Sequence, residues 1–479
     1  MKLAMSKGEN NYMKLKFAVI FTFIFFALSI SAQTIESQID KYLSIRSEMG
    51  GFSGAVLVAK EGKVVFRKGY GFADVEKRIP YTPETQHAIA SVSKMFTSIA
   101  ALKLRDQGKL KLEDSICKYL DDCPTAWQPV TTQHLMRHTS GIPDYEEKLE
   151  LGSEKYLQMM AEGNTSARIY AEAKKLPLDF KPGEKFHYSN SGYIVLSYVV
   201  EKVAKTPFAD FVTKNILQPA GMKNTGIFSY GKPPKNLAVG YTYGDIGWEK
   251  TLAGFSLTDG TLKKQPPITL SSPHGDAMLY STLDDLYRWS QIMEGSKLIP
   301  KSEVDEIYTA GLEEYGYGWF VGKSFNNRKR VKHNGGLPGY VTDFMRFPDE
   351  KTTVIVFSNV DRVRLNSIVR SITSITLGMP FDMPVRGKVV KLSPEQIANL
   401  EGDYKMADGS ILTIQNSPNF LLAKIKDFYT AGLIPLSPTE FYFPLGDGKA
   451  IFTINGSGKA TKVNMRYGGE DRIAERIIE

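Results

Sequence analysis

IASVSKMFTSIAALKLRDQG, residues 89–108, carries a strong helical pattern together with a reactive pair of side chains. Met95, Phe96, Ile99, Leu102 and Leu104 recur at the spacing of one helical face, and Gly108 ends the run. Ser91 opens it and Lys94 follows three residues later. Residues three apart share a helical face, so the lysine can meet the serine hydroxyl. The unpaired N–H groups at a helix start also favour negative charge nearby. Both effects suit a serine that must become alkoxide-like, because a hydroxyl of ordinary acidity needs a base before it attacks. A buried lysine with a lowered pKa is the leading base.

S-x-x-K alone is a weak signal, since it occurs at Ser91–Lys94, Ser115–Lys118 and Ser229–Lys232. Context separates the three. Ser229 lies in the loop-like SYGKPP and Ser115 heads a cysteine-bearing segment, so only Ser91 has a helix behind it. The G-x-S-x-G elbow is absent from the chain, which counts against a Ser-His-Asp hydrolase of that type.

Working outward, Ile35, Ile39, Tyr42 and Leu43 fall on one face of a helix expected to stop at Gly50–Gly51. GAVLVAK and KVVFRKGYG read as two strands joined at Glu61–Gly62. Helical patterns and Pro/Gly-rich loops fill the middle to about Ser290. YGYGWFVG, KHNGGLPGY and TTVIVFSNV then read as strands, and a helix over Leu365 to Leu377 closes the unit. Strands at both ends with helices between them imply an α+β fold, one antiparallel sheet flanked by helices. The pattern changes around Met379–Pro394. From Leu400 onward SILTIQ, FLLAKI, FYFPL, KAIFTIN and KVNMRY alternate between turn residues, which implies a separate small β-barrel or sandwich. The expected boundaries are a signal peptide over 1–32, a catalytic domain over 33–385 and a lipocalin-like barrel over 395–479.

A 479-residue chain with 42% hydrophobic and 23% charged residues is globular and long enough for two domains. Lys14 and Lys16, an apolar run from Phe17 to Ile30, and the small residues Ser29, Ser31 and Ala32 read as an export signal. The run is shorter than the ~20 residues of a membrane span, so no stable span is expected after cleavage. Residues 1–32 hold four lysines and one glutamate, so the formal charge of +8 drops by three to +5 on cleavage. The remaining positive residues are dispersed, which argues against a nucleic-acid partner. Secretion or a periplasmic location follows. Export permits a disulfide between Cys117 and Cys123, while two separate thiols remain the alternative. No metal or other cofactor is expected, because His134 and His138 lack the glutamate of H-E-x-x-H.

IASVSKMFTS (89–98), HYSNSGY (187–193) and HNGGLPGY (333–340), in that order, resemble the serine β-lactamase and penicillin-binding superfamily. LMRHTSGIPDY (135–145), YSTLDDLYRW (280–289) and YGYGW (315–319) add to the likeness, which spans roughly 35–380. It is strongest toward class C β-lactamases, D-aminopeptidases and family VIII-type esterases. The resemblance implies that Ser91 is acylated, that Lys94 assists, and that Tyr188 acts as base and then as acid. It also implies that Asn190 bonds the substrate amide and Lys94, and that the N–H groups of Ser91 and Gly336 form the oxyanion hole. Tyr188-Ser189-Asn190 is the single Y-x-N of the chain. His333 and Gly335 stand where the family has K-T-G or H-x-G, with the glycine letting a substrate approach the strand.

A histidine in place of that lysine is mostly neutral near pH 7 and offers no permanent charge to a carboxylate. This departure fits the esterase and D-aminopeptidase branches better than a β-lactamase or D,D-carboxypeptidase. Two further departures are GDAMLYST at 275–282, where a glycine pair is usual, and His87, where an aromatic is common. His138-Thr139-Ser140-Gly141 reads as a helix end with a glycine cap rather than a catalytic group. Trp289 and Trp319 read as core. The leading reading is an exported acyl-enzyme hydrolase of esters, small amides or D-amino-acid peptides, with a small-molecule or peptide substrate. The alternatives are a D,D-carboxypeptidase or β-lactamase acting on peptidoglycan or β-lactams, and a non-catalytic penicillin-recognising protein.

Overall fold

The computed structural model describes residues 34–48, 52–148, 166–228, 234–243, 262–265, 275–324, 327–361, 363, 365–384, 390–417, 420–425, 429–443, 447–467 and 469–477. The expected export signal, the stop at Gly50–Gly51 and the Ser229–Lys232 pair lie outside the described residues.

Helix α1 (Ile35–Glu48) leads into strands β1 (Gly54–Lys60) and β2 (Lys63–Tyr70). Their two-residue turn has positive φ at both Glu61 and Gly62, 52° and 75°, a geometry that matches the twist of the paired strands. Helices α2 (Lys94–Asp106), α3 (Thr132–Met136), α4 (Asn190–Ala204) and α5 (Leu283–Ile292) belong to the middle of the chain. The chain then returns to the sheet through β3 (Phe320–Lys323), β4 (Lys329–Leu337), β5 (Tyr340–Phe347) and β6 (Thr352–Ser358), and α6 (Leu365–Leu377) follows.

The sheet order is β3-β4-β5-β6-β1-β2, antiparallel throughout, with Gly54 opposite Ser358 where the two chain ends meet. Strand β1 is buried on both faces. Ala55, Leu57 and Ala59 join the core that includes Met95, Phe96, Ile99 and Trp289, while Val56 and Val58 pack with Ile39, Leu43, Ile368 and Ile372. Alternate residues point to opposite faces, so one strand anchors helices on both sides of the sheet. Trp289 and Trp319 are fully buried, as expected of core residues.

Helix α7 (Pro394–Leu400), started by a Ser393–Gln396 capping box, precedes a closed eight-stranded barrel. Its strands are β7 (Gly402–Met406), β8 (Ile411–Ser417), β9 (Phe420–Ile425), β10 (Tyr429–Pro435), β11 (Glu440–Phe443), β12 (Gly448–Ile454), β13 (Ala460–Tyr467) and β14 (Glu470–Arg476). Pairing of β7 with β14, Tyr404 opposite Arg476, closes it. Strands β7 and β14 are rich in charge; each turns a single fully buried residue, Tyr404 or Ala474, toward the barrel core.

The barrel is fastened to α1 by a buried polar cluster. Arg46 Nε is 3.2 Å from Asp447 Oδ1, with side-chain exposures of 8% and 0%. Tyr42 and Tyr442 both donate hydroxyl hydrogen bonds to the same carboxylate, the second at 2.7 Å. Arg46 also reaches Tyr442 and Ser367. Cys117 and Cys123 form a disulfide, which decides the pairing the sequence left open.

Candidate active site

Ser91 lies in a 3-10 turn, Ala90–Ser93, and α2 itself begins at Lys94. Ser91 therefore precedes the α-helix rather than opening it. The turn is held by the Ile89 N–H bond to the Leu279 carbonyl, 2.9 Å, and by the Leu279 N–H bond to Ser93 Oγ, 3.0 Å. Ala90 has φ +48°, a left-handed conformation that costs a residue with a Cβ roughly 1–2 kcal/mol.

Lys94 is fully buried. Its ammonium donates to Ser91 Oγ at 3.1 Å, to Asn190 Oδ1 at 2.7 Å and to the Asp276 carbonyl at 3.0 Å. Three N–H donors thus have three acceptors, which makes a buried ammonium tolerable. The same nitrogen is 4.8 Å from the centre of the Tyr188 ring and 5.6 Å from that of Tyr193. Asp276, in the unusual GDAMLYST stretch, is buried with Oδ1 unpaired among the described residues. Burial raises its pKa to about 6, against the pull of the Lys94 charge.

The Y-S-N segment is seated in the loop that follows α3. Ser189 is the N-cap of α4, its Oγ accepting from the Gly192 N–H at 3.1 Å. Residues 138–145 hold several of the polar groups around it. The His138 carbonyl accepts from the His187 N–H at 2.9 Å, and His138 Nδ1 accepts from the Ser189 N–H at 3.0 Å. Ser189 Oγ donates to the Ile142 carbonyl at 3.0 Å, and Ser191 Oγ accepts from the Tyr145 N–H at 2.9 Å. The Asp144 carboxylate accepts from the Asn190 N–H.

His138 itself adopts the left-handed conformation after α3, with φ +57°, two positions past Met136. The expected glycine cap is therefore displaced. Gly141 instead permits close approach, because a Cβ there would sit 2.2 Å from the Phe180 carbonyl oxygen.

His333 lies on β4, 1% exposed, with both ring nitrogens held by protein groups. Nδ1 is 2.7 Å from the Asn334 carbonyl and Nε2 is 3.0 Å from the Tyr315 hydroxyl. A carbonyl can only accept, so Nδ1 carries the proton and Nε2 accepts from Tyr315. Burial, reinforced by Lys94, pushes its pKa down to about 3, so the ring is neutral. Gly335 next to it serves the protein more directly than a substrate. A Cβ there would lie 2.4 Å from the Ile89 carbonyl oxygen and 2.9 Å from the Ser91 nitrogen, so the glycine lets β4 pack against the Ser91 turn. Gly336 is exposed and has open space around it.

The structure thus gathers Ser91, Lys94, Tyr188 and Asn190 about one ammonium and sets β4 against the Ser91 turn. Ser115 is elsewhere, capping a turn by accepting from the Cys117 N–H at 3.3 Å. His138, Asp144, Asp276 and Tyr315 belong to the site without having been singled out for it in the sequence. H-T-S-G was visible, but its link to Tyr188 depends on packing between segments about 50 residues apart. His87 fills its expected aromatic place by stacking on Phe357 at 4.7 Å.

The β-lactamase family model matches residues 39–368. "Penicillin-binding protein 4*" of Bacillus subtilis (strain 168) is 27% identical over 443 residues, covering 88% of this chain and 94% of the relative. An octameric penicillin-binding protein homologue from Pyrococcus abyssi superposes with TM-score 0.62 at 24% identity, over 91% of this chain and 99% of that one. The D-amino acid amidase of Ochrobactrum anthropi SV3 shares the fold with TM-score 0.59 at 19% identity, over 72% and 96%. The ordered motifs, the sheet that joins both chain ends and a family match across more than half of the sequence agree: this chain belongs to the β-lactamase family, with the penicillin-binding-protein-like serine hydrolases.

Proposed function

We propose that the protein is an exported serine hydrolase that forms an acyl-enzyme on Ser91 and cleaves esters, small amides or D-amino-acid peptides. One observation carries the reading. A single buried ammonium, Lys94 Nζ, bonds the Ser91 hydroxyl and the Asn190 amide and lies beside the Tyr188 ring.

In this mechanism Ser91 Oγ attacks the substrate carbonyl carbon while its proton passes to Tyr188, held as the phenolate by the Lys94 charge. The negative oxygen that forms is received by the Ser91 and Gly336 N–H groups. Collapse breaks the bond to the leaving group, which takes the proton from Tyr188. A water molecule, deprotonated by the same tyrosine, then attacks the acyl carbon; the bond to Ser91 Oγ breaks, and Tyr188 returns the proton to that oxygen. Asn190 holds the ammonium and faces the substrate amide.

The neutral His333 supports neutral esters and amides over substrates that need a fixed cation, since both its nitrogens are engaged within the protein. The amidase neighbour is in line with this. Export is supported by residues 14–32 and by the disulfide, which persists in oxidising compartments. Among the described residues no helix is long and apolar enough to cross a membrane. N-terminal sequencing of the mature protein tests export, with cleavage after residue 32 or close to it expected and an intact Met1 or Met13 start contradicting it.

Labelling the wild type and Ser91→Ala with a fluorescent phosphonate and a fluorescent penicillin tests the reaction class. Phosphonate labelling at Ser91 without penicillin labelling supports the esterase and amidase reading. Penicillin labelling at Ser91 moves it to the penicillin-recognising alternative, and labelling that survives Ser91→Ala sinks the site.

A further inference from the structure

We propose that His138 is a positioning residue that fixes the place of the Tyr188 ring over Lys94; this rests on the reading of Tyr188 as the proton carrier.

Four observations converge. The His138 ring lies 4.2 Å from the Tyr188 ring and within 5.8 Å of those of Tyr193, Tyr315 and Phe186, in a fully enclosed aromatic pocket. Its Nδ1 accepts from the N–H of Ser189, the residue after Tyr188, and its carbonyl accepts from the N–H of His187, the residue before. One residue therefore grips the backbone on both sides of Tyr188 and packs on the side chain between. Finally, it does so from a left-handed backbone, φ +57°, that a glycine would occupy with less strain. Such strain persists where a side chain is needed at that point.

The chemistry selects a histidine. To accept from Ser189, Nδ1 must be unprotonated, so the proton of the neutral ring sits on Nε2. A charged ring would forfeit the acceptor and set a second cation near Lys94. Burial first, then the charge of Lys94, hold the His138 pKa well below its usual value. Phenylalanine would keep the ring contact and lose the acceptor. Asparagine would keep an acceptor near the Nδ1 position and lose the ring.

The test compares His138→Phe and His138→Asn with the wild type, by ester hydrolysis and by 13Cζ-tyrosine NMR with Tyr188 assigned from Tyr188→Phe. Both variants are expected to lower kcat by about 10–100-fold with KM within about threefold, because orientation is lost while binding is kept. Asparagine should retain several-fold more kcat than phenylalanine. The Tyr188 titration midpoint should rise in the phenylalanine variant as the ring leaves the ammonium. Wild-type kcat in a folded phenylalanine variant overturns the proposal. Equal losses in both variants with an unmoved Tyr188 midpoint also overturn it, since they would mark a purely structural role. If the wild type shows no labelling at Ser91, the hydrolase reading fails instead, while the Tyr188 resonance still reports on positioning.

Discussion

Lys94 Nζ stands 2.7 Å from Asn190 Oδ1 and 3.1 Å from Ser91 Oγ, so the ammonium is held more closely by the amide than by the serine hydroxyl. Asn190 is the first residue of α4, and its own N–H is fixed by Asp144. The acceptor is thus held in place, and in the proposed reaction the hydroxyl can leave the ammonium when it attacks.

Asn190→Ala should therefore reduce kcat/KM for a p-nitrophenyl ester by ~10–100-fold, the value of a hydrogen bond to a charged group at about 1.5–3 kcal/mol. Steady-state kinetics with the thermal midpoint as a control check it. A variant as active as the wild type would show that the amide contact does not hold the ammonium in its working position.

Lys94→Ala and Tyr188→Phe should each lower turnover by ~10²–10⁴-fold, the usual worth of general-base help. The double variant should lose far less than the product of the two, because both belong to one proton path. A double-mutant cycle measured on kcat decides this. Full additivity would separate them into independent groups. Ser115→Ala, which touches only a turn, should leave turnover unchanged, whereas Ser91→Ala should abolish it.

Asp447→Ala should destabilise the whole chain, because it strands the Arg46 guanidinium in a buried site. Removing one partner of a buried pair costs about 3–5 kcal/mol. Urea denaturation followed by tryptophan fluorescence reads this, since Trp127, Trp289 and Trp319 all lie in the sheet-bearing domain. A loss confined to the barrel, with the tryptophan transition unmoved, would show that the two parts unfold independently.

Acid should weaken the fold below pH 6.5. Burial holds His87 and His333 at about 3, and holds His138 well below its usual value, so the unfolded chain binds protons the folded chain refuses. Stability then rises with pH between the folded and unfolded values and is lost as pH falls through that window. Asp276 and Asp343, raised to about 6 by burial, oppose the trend below that point. His87→Phe should flatten the slope between pH 6.5 and 5 by up to ~1.4 kcal/mol per pH unit, one proton's worth. Urea midpoints across this range measure it. An unchanged slope would mean that His87 becomes protonated within the folded state.

Local pattern carried much of the architecture. The two-residue turn at Glu61–Gly62, the helix over Leu365–Leu377 and the buried strands at both ends follow from periodicity and turn chemistry, which act over a few residues. Barrel strands β7 and β14 were illegible for the same reason, since each has one buried residue and a charged exterior, and only closure pairs them. The chemistry of the site divides in the same way. Ser91 and Lys94 are three residues apart, so local geometry alone brings them together. The roles of His138, Asp144, Asp276 and Gly335 required the tertiary structure, because each acts on a residue far along the chain. Gly335 is a glycine because of where Ile89 and Ser91 pack, and His333 is a neutral, engaged ring because Tyr315 and Asn334 bind it. The sequence determined which groups could react; burial and packing between distant segments decided which of them meet and in what state of charge.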